Sequence, residues 1–134
     1  MVMDPSVFTR RFPAQADQVA PARREVVAYA REQGAADPDG IALAVSEAVT
    51  NAVVHAYIDA RTPGDVEVFA KRHPGDGIEI HVCDDGRGMM PRRDSPGLGV
   101  GLPLITKLTQ RFKVETRPGG GTAVSMLFAV HDPA

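Results

Sequence analysis

Up to about residue 60 the apolar positions recur with a helical period; beyond it they recur every second residue. A short run comes first. Ser6 to Phe12 sets Phe8 and Phe12 on either side of Arg10, which predicts an edge strand stopped by Pro13. From Asp17, expected as an N-cap, the residues Val19, Ala22, Val26, Tyr29 and Ala30 mark one face of a helix that Gly34 stops. Asp37-Pro38 announces a second helix, because proline at the first helical position gives up a donor that has no partner there anyway. Its buried stripe is predicted as Ile41, Val45, Ala48, Val49 and Ala52.

The period then switches to two. Val66, Val68 and Ala70 alternate with Glu67 and Phe69, and Ile78, Ile80 and Val82 alternate with Glu79 and His81, across the turn residues Pro74-Gly75-Asp76-Gly77. This predicts an antiparallel hairpin with one face buried. A glycine-rich stretch from Gly86 to Gly101 leads into a short apolar helix at Leu102 to Leu108. A second hairpin follows, Phe112 to Thr116 and Thr122 to Phe128, around Arg117-Pro118-Gly119-Gly120-Gly121. Helices followed by hairpins imply the α+β class, a two-layer sandwich formed as a single domain over residues 1–134.

Composition narrows the function. Lys and Arg number 15 against 17 Asp and Glu, a net charge of −2 that excludes a globally basic nucleic-acid or membrane-surface binder. Aromatics are 5 % of the chain and Trp is absent, so the core is expected to be Val, Ala, Leu and Ile. One cysteine, Cys83, excludes an intramolecular disulfide and a zinc ligand set, and on an apolar strand it reads as a core residue. The four histidines lack metal-ligand spacing, and neither Ser46 nor Ser95 lies in a Gly-x-Ser-x-Gly elbow. No signal-like segment and no apolar run of about 18 residues occurs, so a cytoplasmic protein is expected.

Three runs carry candidate chemistry. Glu47, Asn51 and His55 stand at i, i+4 and i+8 on one stripe of the second helix. A carboxylate and a carboxamide one turn apart suit a proton acceptor beside a magnesium ligand, and they equally suit a solvated helix face. Val82-Cys83-Asp84-Asp85-Gly86-Arg87-Gly88 runs a strand straight into two acids and two glycines. Asp84 there could accept from an exocyclic amine such as that of adenine, with Gly86 and Gly88 allowing close approach of a flat ring; an ordinary Asp-Gly turn is the alternative. Gly97-Leu98-Gly99-Val100-Gly101-Leu102 offers backbone donors at a helix start, suited to phosphate oxygens, yet it is neither a P-loop nor a dinucleotide fingerprint.

Taken together, Glu47-Ala48-Val49-Thr50-Asn51, Asp84-Asp85-Gly86-Arg87-Gly88, Gly99-Val100-Gly101-Leu102 and Gly120-Gly121-Thr122 resemble the boxes of the GHKL ATPase superfamily. Within it the chain looks most like the anti-sigma factor serine/threonine-protein kinases of bacterial partner-switching systems, from about Phe8 to Phe128. The resemblance implies a Bergerat-type, histidine kinase-like ATPase fold: a mostly antiparallel sheet covered by helices on one face. It also implies ATP and Mg2+ as cofactors. Asn51 would coordinate the magnesium, and Glu47 would be the general base toward a serine hydroxyl. Asp84 would bind the adenine amino group above Gly86 and Gly88. The box Gly99-Val100-Gly101-Leu102 would line the phosphates, with Gly99 and Gly101 contributing amides, and Thr122 would close the adenine side. The implied partners are an anti-anti-sigma factor of STAS type as substrate, a sigma factor contacted near Arg23, and a second copy in a homodimer. Neither nucleic acid nor membrane is implied.

The departure from the pattern lies in the lid. Only Met89 to Pro96 separate Gly88 from Gly97, so bound nucleotide is expected to be more exposed, and Arg92 or Arg93 is a candidate for the terminal phosphate. That short lid keeps a non-catalytic, ATP-binding regulatory module as the alternative. A sensor histidine kinase is less favoured, since no residues before Phe8 supply a phosphoacceptor helix.

Overall fold

Alternation along the strands and helical spacing before them sort the chain into two layers. In the computed structural model, residues 4–56, 64–85, 98–118 and 120–131 are described. The strands are β1 (Val7–Pro13), β2 (Asp65–His73), β3 (Gly77–Asp84), β4 (Arg111–Thr116) and β5 (Thr122–Phe128). The helices are α1 (Val19–Glu32), α2 (Pro38–Asn51) and α3 (Leu98–Leu108). A single sheet of order β1-β2-β3-β5-β4 results, with every neighbour pair antiparallel. β1 is an edge strand ending at Pro13, where a missing N–H does no harm to the ladder.

The core forms where the even-numbered side chains of β2, β3 and β5 meet the helices. Val66, Val68, Ala70, Ile78, Ile80, Val82, Val124 and Met126 are buried, as is the whole stripe Ile41, Val45, Ala48, Val49 and Ala52 of the second helical region. Alanines on both helices (Ala22, Ala30, Ala44, Ala48) let α1 and α2 pack closely. No leucine is among the buried core residues described, so Val, Ala and Ile, joined by Phe12, Tyr29, Met126 and Phe128, build the described core without the leucine that composition led us to expect.

Three local readings are corrected. Asp17 lies in a 3-10 turn (Ala16–Gln18), and α1 starts after Gln18 with no side-chain cap. Asp37 does cap α2, accepting from the Gly40 N–H at 3.0 Å. Cys83 is half-buried rather than in the core: with Val82 and Asp84 facing the helices, pleating turns Cys83 to the opposite face. Burial there pushes its thiol pKa up, partly offset by the charge of Arg117. The third helix begins at Leu98, not Leu102, which draws Gly99 to Leu102 into its first turn and a half.

Candidate functional site

The path of α2 decides where its polar residues arrive. The Ala36 N–H donates to the Ala129 carbonyl at 3.0 Å, which pins the start of α2 near the end of the sheet where β5 finishes. A 14-residue helix runs about 21 Å, close to the length of β3, so its last residue reaches the end where β3 stops. There Asn51 closes α2, and a π-helical turn, Ala52–Ala56, follows and packs on β3. Such wide turns are uncommon and tend to mark functional positions.

Three polar side chains are buried at this end: Asn51 at 6 % exposure, Asp84 at 2 % and Thr122 at 2 %. Asp84 ends β3 and Thr122 begins β5, and the two are direct cross-strand partners despite their distance in sequence. The amide nitrogen of Asn51 has no hydrogen-bond partner among the described residues. A buried donor left without an acceptor costs about 1–3 kcal/mol. Glu47 lies one turn earlier on the same stripe of α2 and is half-buried, between solvent and the buried corner.

Backbone geometry holds the corner shut. Gly121 has φ +92°, and a Cβ there would sit 2.1 Å from the Asp84 carbonyl oxygen and 2.8 Å from the Asp85 Cα. Only glycine lets the segment entering β5 press so closely on the end of β3. Arg117, at the start of that turn, donates from Nη1 to the Asp84 carbonyl at 3.2 Å and to Asp85 Oδ1 at 2.9 Å. Asp85 Oδ2 is 3.7 Å from Arg11 Nη2, and Arg11 Nε donates to Asp65 Oδ2 at 2.9 Å. Sequence reasoning missed Asp85, Arg117 and Arg11. The acidic doublet Asp84-Asp85 was visible, but its arginines come from both ends of the chain, and only the strand order shows that they meet.

Of the remaining candidates, Gly99 to Leu102 lie in the first turn and a half of α3, whose first four backbone N–H groups have no partner within the helix. α3 packs on α2, so this turn belongs to the helical layer that carries Glu47 and Asn51. Gly86, Gly88 and the lid Met89 to Pro96, with Arg92 and Arg93, lie outside the described residues. Arg23 is half-buried rather than fully exposed, lining a groove between α1 and α2 with Arg24, Arg31 and Asp39. No described helix is long and apolar enough to cross a membrane.

The comparisons with known proteins agree with this fold. The family model for the histidine kinase-like ATPase domain matches residues 12–128. Blue-light-activated histidine kinase 2 of Erythrobacter litoralis is 38 % identical over 90 residues, covering 64 % of this chain but 26 % of that protein. The anti-sigma F factor of Clostridium acetobutylicum is 31 % identical over 132 residues, covering 87 % of this chain and 88 % of its relative. Serine-protein kinase RsbW of Halalkalibacterium halodurans is 30 % identical over 143 residues, with 93 % and 84 % covered. Among solved structures, the histidine kinase domain of the Erythrobacter litoralis EL346 blue-light activated kinase superposes with a TM-score of 0.57 at 34 % identity, over 69 % of this chain and 44 % of that one. The chain therefore spans about a quarter of one relative it matches and most of two others. With the model matched over most of its length, and with helices on one face of an antiparallel sheet, this chain belongs to the histidine kinase-like ATPase domain family.

Proposed function

We propose that residues 1–134 act as one ATP-binding domain, an anti-sigma factor in the cytoplasm that phosphorylates a serine of an anti-anti-sigma protein and holds a sigma factor. The observation that carries the reading is the buried polar corner, in which Asp84 pairs with Thr122 beside the end of the helix bearing Glu47 and Asn51. Similarity to proteins named anti-sigma F factor and serine-protein kinase RsbW supports the regulatory class. A homodimer is part of the same reading.

The residues fit ATP and a magnesium ion. The Asn51 carboxamide, buried with its nitrogen unpaired among the described residues, has a hard oxygen for the metal and a donor for a phosphate oxygen. Magnesium, when bound, would neutralise charge on the phosphates. Asp84 accepts from the adenine amino group, Thr122 closes that side, and the turn Gly99-Val100-Gly101-Leu102 lines the phosphates, with Gly99 and Gly101 donating their amides to phosphate oxygens. Glu47 takes the proton of the attacking serine as its oxygen bonds to the terminal phosphorus and the bond to ADP breaks. Gly86 and Gly88 would floor the adenine.

The test is incubation with labelled ATP, magnesium and candidate anti-anti-sigma proteins, followed by acid treatment of the labelled protein. Phosphoserine survives acid and phosphohistidine does not, which separates the serine kinase from the histidine kinases that share the fold. Acid-stable label lost in Glu47→Ala, with nucleotide binding retained, is the expected result. Acid-labile label, or transfer by Glu47→Ala at the wild-type rate, overturns it.

A further inference from the structure

We propose that Arg117, braced by Asp85, is a positioning residue that aims Asp84 at the adenine and thereby sets the preference for ATP over GTP. The inference rests on the reading of Asp84 as the adenine acceptor. Its footing is geometric: a single guanidinium nitrogen bonds both the main-chain carbonyl of Asp84, at 3.2 Å, and the carboxylate of the next residue, at 2.9 Å. The peptide that carries the buried Asp84 side chain is thus tied to the turn that leads into Thr122, its cross-strand partner. Both residues that would close on the adenine are set by one joint.

The charges at the joint alternate along the end of the sheet. Asp65 holds Arg11 at 2.9 Å, Arg11 faces Asp85 at 3.7 Å, and Asp85 holds Arg117 at 2.9 Å. One side of this row comes from β1 and β2, the other from the turn entering β5, so Asp85 is pulled from both sides and the end of β3 is centred between them. Stability does not account for the arrangement. Asp85 and Arg117 are 59 % and 37 % exposed, and pairs so open to water add little to folding. Their value lies in direction, because a buried carboxylate reads a ligand only if its peptide cannot turn. Lysine would keep the charge at 117 and has donors enough on one nitrogen for both acceptors, but it carries them on a flexible stem instead of the fixed plane of a guanidinium.

The measurement is equilibrium binding of magnesium ATP and magnesium GTP to the full chain and its variants. Arg117→Ala should weaken ATP about five- to tenfold, leave GTP unchanged and move the melting temperature little, with Arg117→Lys recovering part of the loss. In an Asp84→Ala background the same change should add nothing, since the residue acts through Asp84. Lys113→Ala, which breaks the exposed pair with Glu115 elsewhere on the sheet, is the control and should bind ATP normally. ATP affinity of Arg117→Ala within about twofold of wild type, while Asp84→Ala loses affinity, overturns the positioning role and leaves the adenine reading standing. Equal losses for ATP and GTP overturn it as well. If Asp84→Ala binds ATP like wild type, the adenine reading falls and the inference with it. Asp85→Asn, nearly the same shape, gives the same comparison should Arg117→Ala fail to fold.

Discussion

A methyl group at position 121 would have to occupy space already held by the carbonyl of Asp84. The contrast with Gly75 makes this measurable. Both have positive φ, +92° and +83°, but a Cβ at Gly75 meets nothing within 4 Å. Gly75→Ala should therefore cost only the backbone strain, about 1 kcal/mol, whereas Gly121→Ala carries that strain and a backbone collision, with a loss of about 3 kcal/mol or more. Urea denaturation of the two variants checks the difference; equal midpoints would mean that the contact of Gly121 with Asp84 yields freely.

At the scale of the element, the two helix starts behave differently. Asp37 accepts from the Gly40 N–H, so Asp37→Ala should destabilise by about 1 kcal/mol, while Asp17→Ala, where no cap bond exists, should stay within error in thermal melts. Both aspartates look alike in sequence, and only the second is followed by a proline that fixes where the helix begins. The same limit runs through the rest of the molecule. Strands and helices were legible because Val66, Val68, Ala70 and Ile78, Ile80, Val82 repeat their period over enough residues to leave one solution. Cys83 was misread as core although parity argues against it, since a residue between Val82 and Asp84 must face away from both. Asp84 and Thr122 could be picked out by type and position, but their meeting at one end of the sheet depends on antiparallel pairing between residues 38 apart in the chain. Arg11 and Arg117 carry no local signal at all, because an arginine on a strand or turn has the same pattern whether or not an acid awaits it.

For the whole molecule, the first helix and the N-terminal strand are joined by Tyr29, whose hydroxyl donates to the Ser6 carbonyl and whose ring packs 5.7 Å from Phe8. Burial pushes the Tyr29 hydroxyl above its ordinary value near 10, against a lowering contribution from the Arg72 main chain. The native phenol therefore keeps its proton to higher pH than the unfolded one. The stability it contributes is complete below about pH 10 and is lost as pH rises through the native value. Urea midpoints measured from pH 8 to pH 11 should fall less steeply in Tyr29→Phe than in wild type; parallel curves would show that another group sets the alkaline limit.

The supports of Pro5 and His131 have a practical side. The Gln33 amide donates to the Pro5 carbonyl at 2.8 Å, and the His131 N–H donates to the Gly34 carbonyl at 2.8 Å, so residues 5 and 131 rest on adjoining residues of the turn after α1. That turn lies at the end of the sheet away from Asp84 and Thr122, about 24 Å off along β3. A fluorophore or surface tether placed at residue 5 or residue 131 sits remote from the polar corner, and one at each position would report on each other's distance without touching it.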